Sequence, residues 1–381
     1  MTIESSPQRP TYSGIDLLRF AAAFLVMAFH LSFITWARHD GIAYDLTRGE
    51  MRFPELQRWT SSGWVGVQIF FVISGFVIVY SAQAATASTF FRSRFLRLFP
   101  GAWICATLTA LTLLAFAWSA PLDILRRYAL TLVLWPAGPW VDGAYWTLGV
   151  EIAFYTFVWC LLRLRLFDRL TLALSILGLV STFYWLVEAA AAALDYQRVP
   201  ILGAIPGAAL QFLLVVHGCQ FALGGLLFVV LCGKGDWRLW LLILICAGGG
   251  AIEVMHFGAA QANKTALHLS LILPVLLWLI AVAAIAASVR WNKAVAHYVS
   301  PRTARAIGLA TYPLYLLHQT NGAAVMTIVY AWTSNRWLAL GTAFATMLAL
   351  SFGVALLWER PLRQKIRALL EARHPLAANR G

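Results

Sequence analysis

GIDLLRFAAAFLVMAFH, residues 14–30, runs on into LSFITW at 31–36, an apolar segment that nevertheless carries Asp16, Arg19 and His30. In hydrocarbon each unpaired backbone N–H or C=O costs several kcal/mol. A run of about 20 apolar residues therefore crosses a bilayer as a helix, whereas barrel strands would alternate apolar and polar side chains. This run does not alternate and predicts a helix. Whether it spans a membrane or fills a soluble core is decided by the rest of the chain. The 381 residues are 61% hydrophobic and 12% charged, with a mean hydropathy of +0.73, against roughly 25% charged residues in an ordinary soluble domain.

The expected fold is an all-α polytopic transmembrane bundle of about ten spans, near 14–36, 63–82, 98–118, 146–166, 170–193, 205–232, 237–258, 266–288, 306–331 and 337–358. The segment 121–136 is shorter and carries Asp123, Arg126 and Arg127 near one end, which reads as interfacial or re-entrant. With the N-terminus in the cytoplasm, the cytoplasmic loops collect most of the Lys and Arg and the external loops most of the acids, as the positive-inside rule requires. The net charge of +13 is then a membrane-surface property, met by anionic headgroups, and calls for no nucleic acid. One membrane domain, 14–358, is expected between a cytoplasmic tail at 1–13 and a basic amphipathic tail at 359–381. The external loop 37–62 is either a lid or a solvated connection. The five cysteines show no paired spacing and no metal pattern, so free thiols and no metal are expected.

A charge at the bilayer centre costs at least about 2.5 to 3.5 kcal/mol, so intramembrane ionisable groups are candidates for function. Arg19 and His30 are eleven residues apart, three helical turns, which puts them on one face about 16 Å from each other. Asp16 lies one turn before Arg19 and is placed to pair with it. A lone imidazole is commonly a packed, satisfied histidine; its place on the Arg19 face favours a functional reading of His30. Arg92, Arg94 and Arg97 in FFRSRFLRLFP suit a grip on the phosphates of a cytosolic cofactor, or serve as an ordinary positive-inside anchor. Glu151 in WTLGVEIAFY needs a cation or a proton; it could orient His30, pair with Arg19, or serve structure alone. His318 in TYPLYLLHQT follows Pro313, which should kink its helix and could turn the imidazole toward an aqueous cavity; the alternative is a packed polar residue.

These motifs together resemble the acyltransferase-3 family along nearly the whole chain. GIDLLRFAAAFLVMAFH is similar to that family's first span, with Arg19 and His30 at its Arg, ten residues, His spacing. GWVGVQIFFVISGF at 63–76 resembles its second-span signature, Arg94 and Arg97 its Arg-x-x-Arg element, WTLGVEIAFY its Trp, Ser or Thr, Leu, then Glu, Phe, Tyr pattern, and TYPLYLLHQT with Glu359 to Pro361 its last two spans. Gln68 departs from the pattern, standing where the family commonly has Asp. The resemblance implies an enzyme of the bacterial inner membrane that moves an acyl group, acetyl or succinyl, from cytosolic acyl-CoA to a sugar hydroxyl of a surface polysaccharide or lipid-linked glycan. In that reading Arg94 and Arg97, with Arg92 beside them, bind the phosphates of acetyl-CoA or succinyl-CoA. His30 is the general base, its ordinary pKa of about 6.5 suiting the role, or carries a transient acyl group. Asp16 or Glu151 sets the orientation of His30 or Arg19, and Gln68 and His318 are candidate substrate contacts.

Two other classes compete. A transporter or flippase would use Arg19, His30, Glu151 and His318 as a proton or substrate path without covalent chemistry; inverted repeats would favour it, and none is visible. A structural or sensory membrane protein would use its few charges only to pair with each other.

Overall fold

A computed structural model describes residues 12–194 and 206–372. Most of the expected N-terminal tail, the first residue of the expected span at 205–232, and residues 373–381 of the expected C-terminal tail, His374 included, lie outside the described residues.

The described chain is helical throughout. The first span joins α1 (Ser13–Phe29) to a π-turn at His30–Ile34 and a final turn to Ala37. There follow α2 (Gly66–Ala82), α3 (Ala87–Ala115), α4 (Pro121–Leu132), α5 (Trp146–Arg163), α6 (Leu170–Ala193), α7 (Gly218–Val229), α8 (Trp237–Thr265), α9 (Ile272–Arg290), α10 (Pro301–Thr333), α11 (Arg336–Gly353) and α12 (Arg360–Ala372). Eight helical segments are long and apolar enough to cross a membrane. The other two candidates are α7, a shorter apolar helix extended by a π-turn at Val230–Lys234, and α10, whose 33 residues suffice in length but include the polar run His318 to Asn321. About ten spans result. At twelve residues α4 is too short to span.

Two boundaries differ from the hydropathy reading. The third span begins at Ala87, not near 98, because Thr86 and Thr89 form a reciprocal capping box ahead of it and helix continues through Pro100. Arg92, Arg94 and Arg97 therefore sit on helix rather than on a loop. The eighth span begins at Ile272, since Ala266 adopts a left-handed conformation that ends α8.

The first span is central, packed against α2, α9 and α10. Small residues allow this: a Cβ on Gly66 would lie 2.4 Å from the Ala22 carbonyl oxygen, and one on Gly63 2.2 Å from that of Leu25. The α2–α7 contact is equally close, with Gly75 against the Phe221 carbonyl and Gly224 against that of Val72. In a membrane, where apolar burial gives helices no reason to associate, such close backbone approach supplies the packing energy.

Candidate active site

The π-turn starts at His30. A π-turn shifts the backbone hydrogen-bond register by one residue, a distortion that recurs at functional sites. Here side chains take up the loosened carbonyls: Ser32 Oγ donates to Ala28 O (2.6 Å), Thr35 Oγ1 to Leu31 O (2.9 Å) and Trp36 Nε1 to Ser32 O (2.9 Å). His30 itself uses Nδ1, 3.0 Å from Val26 O and 2.9 Å from Nε2 of His318.

That geometry fixes the protons. His318 Nδ1 lies 3.1 Å from Leu314 O, and a carbonyl only accepts, so Nδ1 carries the hydrogen and a neutral His318 turns a bare Nε2 toward His30. His30 Nδ1–H is then shared between Val26 O and His318 Nε2, which leaves the lone pair of His30 on its own Nε2. Second partners of this kind fix which nitrogen of an imidazole is basic. His318 is fully buried and touches His30 instead of facing open space. Asp142, also fully buried, is close enough to act electrostatically on His318. Its carboxylate accepts from Ala144 N (2.8 Å), Thr320 N (3.1 Å) and Thr320 Oγ1 (2.5 Å), tying the start of α5 to α10 beside the paired imidazoles.

His30 lines a cavity of about 480 Å³ together with Gln68, Trp140, Asp142, Gln261, Lys264 and the Arg38–Asp40 pair. Arg38 donates twice to Asp40, once at 2.9 Å, and these bonds hold the Asp40 carboxyl below the usual carboxylate range. Among the described residues, the side-chain oxygens of Gln68 and Gln261 are buried without a hydrogen-bond partner. Such atoms cost about 1 to 3 kcal/mol unless a donor reaches them. Two acceptors are thus held ready in the wall that His30 shares.

Val67 and Tyr315 also line a neighbouring chamber of about 40 Å³, whose wall includes Arg19, Glu151, Ser74 and Thr147. Glu151 accepts from Tyr155 OH at 2.5 Å and from Ser74 Oγ at 3.5 Å, and Tyr315 OH accepts from Thr147 at 3.2 Å. Arg19 also lines a third cavity, of about 450 Å³, which opens at the opposite end of the bundle and is bounded by Asp16, Arg97 and Arg305. Shared wall residues, Val67 and Tyr315 and then Arg19, set the three cavities side by side, large at each end and small in the middle.

Of the residues singled out in the sequence, Arg19, Asp16 and Arg97 meet at one end of this row, Glu151 lies in its narrow middle, and His30 and Gln68 stand at the other end with His318 behind. Glu151 makes its contacts on the Arg19 side, away from His30. Arg94 lies over the rings of Phe90 and Tyr155, 5.5 and 5.6 Å from their centres. Arg92 binds α12, donating to Arg367 O at 3.0 Å and pairing with Glu371 at 3.1 Å. Sequence reasoning passed over Asp142, Gln261, Lys264 and Arg305. Asp142 precedes the WTLGVEIAFY motif by four residues and is a helix-capping type, a signal within reach; the other three carry no local mark.

A family model described as an acyltransferase domain matches residues 12–356. No curated protein and no solved structure matches the chain. The matched range takes in the Arg19 and His30 face, the arginines of α3, Glu151 and His318, and the chain belongs to the acyltransferase-3 family of membrane acyltransferases.

Proposed function

We propose that this acyltransferase takes its acyl group from acyl-CoA at the Arg19 end and delivers it to a sugar hydroxyl at the His30 end. The observation that carries this reading is a set of neighbouring cavities with unlike ends: Arg19, Arg97 and Arg305 against the one acid Asp16 at one end, and at the other His30 and two unpartnered acceptor oxygens, with Arg38 and Arg127 there paired to Asp40 and Asp123. Arginine clusters suit the phosphates of CoA. The small middle chamber, about 40 Å³, excludes a bulky head, and an extended arm passes it only as the side chains around it move aside. Along α1 the two ends are about 16 Å apart, a distance for an extended thioester-bearing arm to bridge.

In this scheme the acceptor hydroxyl donates to His30 Nε2 while neighbouring hydroxyls donate to Gln68 and Gln261. His30 removes the proton as the oxygen attacks the thioester carbonyl; the C–S bond breaks, the ester forms, and the imidazolium returns its proton to the leaving CoA thiolate. The imidazolium is stabilised through Nδ1–H by Val26 O and His318 Nε2, the arrangement general base catalysis needs. Arg94 steadies Tyr155 and through it Glu151, and the Glu151 carboxylate offsets the charge of Arg19. Basic residues gather at the Arg19 end, which argues for that end in the cytoplasm, with the acceptor on the far side in the periplasm of a bacterial cell.

The test is acetyl-CoA and succinyl-CoA affinity of detergent-purified protein. Arg97→Ala with Arg305→Ala should weaken both by about 10-fold to 100-fold, since each lost charge-assisted bond is worth about 1.5 to 3 kcal/mol and solvent takes back part of it. Unchanged affinity would remove the donor from that mouth. A transporter would pass its cargo and leave the thioester intact.

A further inference from the structure

Beside the His30 cavity lies a fourth one of about 650 Å³, walled by the short helix Ile42–Thr47, the turn between α3 and α4, and the end of α10. Arg127 of α4 lines both cavities. Its guanidinium lies 5.1 Å from the centre of the Trp118 ring and its Nε donates to Asp123 at 2.7 Å. That bond from Arg127 holds the Asp123 carboxyl below the usual carboxylate range, so the carboxylate is ionised and ready to accept. Trp118 Nε1 donates to Asp45 at 3.0 Å, which fixes the edge of the ring. Thr327 Oγ1 donates to Leu46 O at 3.0 Å, pinning the short helix to α10. The cavity is therefore built from anchored side chains.

Its chemistry selects a ligand class. Asp45, Glu50 and Asp123 line it together with Arg48 and Arg127. Three acids against two bases give no net pull on a polyanion, and so many charges repel an apolar chain. Two rings line it, Trp118, which has the Arg127 guanidinium over one face, and Tyr330; aromatic rings beside planar carboxylate and guanidinium groups suit a neutral polyhydroxyl compound, which packs its C–H face on a ring and hydrogen-bonds through its rim.

We propose that this cavity is a subsite for the sugar unit next to the one acylated, so that the acceptor is an oligomer lying across Arg127. The inference rests on the reading that the His30 cavity takes a sugar hydroxyl, and it adds that a single sugar is an incomplete substrate.

The probe is a ladder of one to six sugars from partial hydrolysis of the host cell's envelope polysaccharide, with acetyl-CoA as donor. Wild type should gain about tenfold in kcat/KM from one sugar to three, about 1.4 kcal/mol of added binding. Trp118→Leu and, separately, Tyr330→Leu should flatten that gain, while the single-sugar rate and thiol release from acetyl-CoA stay at wild-type levels and so report an intact fold. Transfer that shows no length dependence in wild type, or a length gain kept in both variants, overturns the subsite and leaves the acyltransferase reading standing. Thiol release with transfer to none of the ladder overturns both the sugar reading and the subsite.

Discussion

Two imidazoles 288 positions apart in the chain meet at 2.9 Å, and their protons are set by carbonyls of their own helices. If His318 supports the protonated form of His30, His318→Ala should lower kcat by about 10-fold to 100-fold, within the range of general base effects. KM for acyl-CoA should stay unchanged; a rise in KM alone would return His318 to packing. Gln68→Leu removes a buried acceptor with no protein partner, so it should raise KM for the acceptor while leaving the protein as stable as wild type or more so, as read by thermal melting. The Arg38–Asp40 pair bears on pH. Because the Asp40 pKa is lowered, the carboxylate stays charged above its ordinary value of about 3.9 and is lost only as pH falls below it. Acceptor KM should therefore be flat from pH 8 to pH 5 so far as Asp40 is concerned, and Asp40→Asn should leave the shape of that profile unaltered.

At the scale of elements, the spans were legible because hydropathy reports them directly, and helical spacing alone was enough to propose a common face for Arg19 and His30. What hydropathy could not give were tertiary partners. His318 reads identically whether it faces water or another imidazole, and Arg305 and Gln261 acquire meaning only when α10 packs on α1 and the end of α8 joins the wall of the His30 cavity. The early start of α3 was hidden by its arginines, which mimic a loop, and the cap that starts it is worth only about 1 kcal/mol. Glycines were legible as residues but not as contacts. Gly224→Ala would set a Cβ 1.9 Å from the Val72 carbonyl oxygen, so it should destabilise by about 1 to 3 kcal/mol, the ordinary range for overpacking, and depress the melting temperature in detergent. Gly248 has nothing within 4 Å of the same position; Gly248→Ala should leave melting unchanged or raise it slightly, since alanine favours helix by about 0.5 to 1 kcal/mol.

Across the whole molecule, the row of cavities has direction only if the bundle does. The Arg19 end carries the arginines of α3, the basic turn before α6, and the cationic α12, whereas three of the arginines at the His30 end are paired with acids: Arg38 with Asp40, Arg127 with Asp123, Arg336 with Glu55. By the positive-inside rule this asymmetry argues for a cytoplasmic N-terminus, the orientation the proposed function requires. Arg58 and Lys293 are exposed at opposite ends. A membrane-impermeant maleimide should label Arg58→Cys in intact cells and Lys293→Cys only after lysis; the reverse pattern would invert the bundle and put the arginine mouth on the wrong side for cytosolic acyl-CoA.

The central claim is that acyl transfer runs through His30. The most direct measurement is thiol release from acetyl-CoA and succinyl-CoA in the presence of envelope glycan, comparing purified wild type with His30→Ala and monitoring acyl-CoA binding in the same samples. The account predicts that the variant binds acyl-CoA like wild type and loses at least about 100-fold in turnover. Turnover undiminished in His30→Ala, with binding intact, would contradict it.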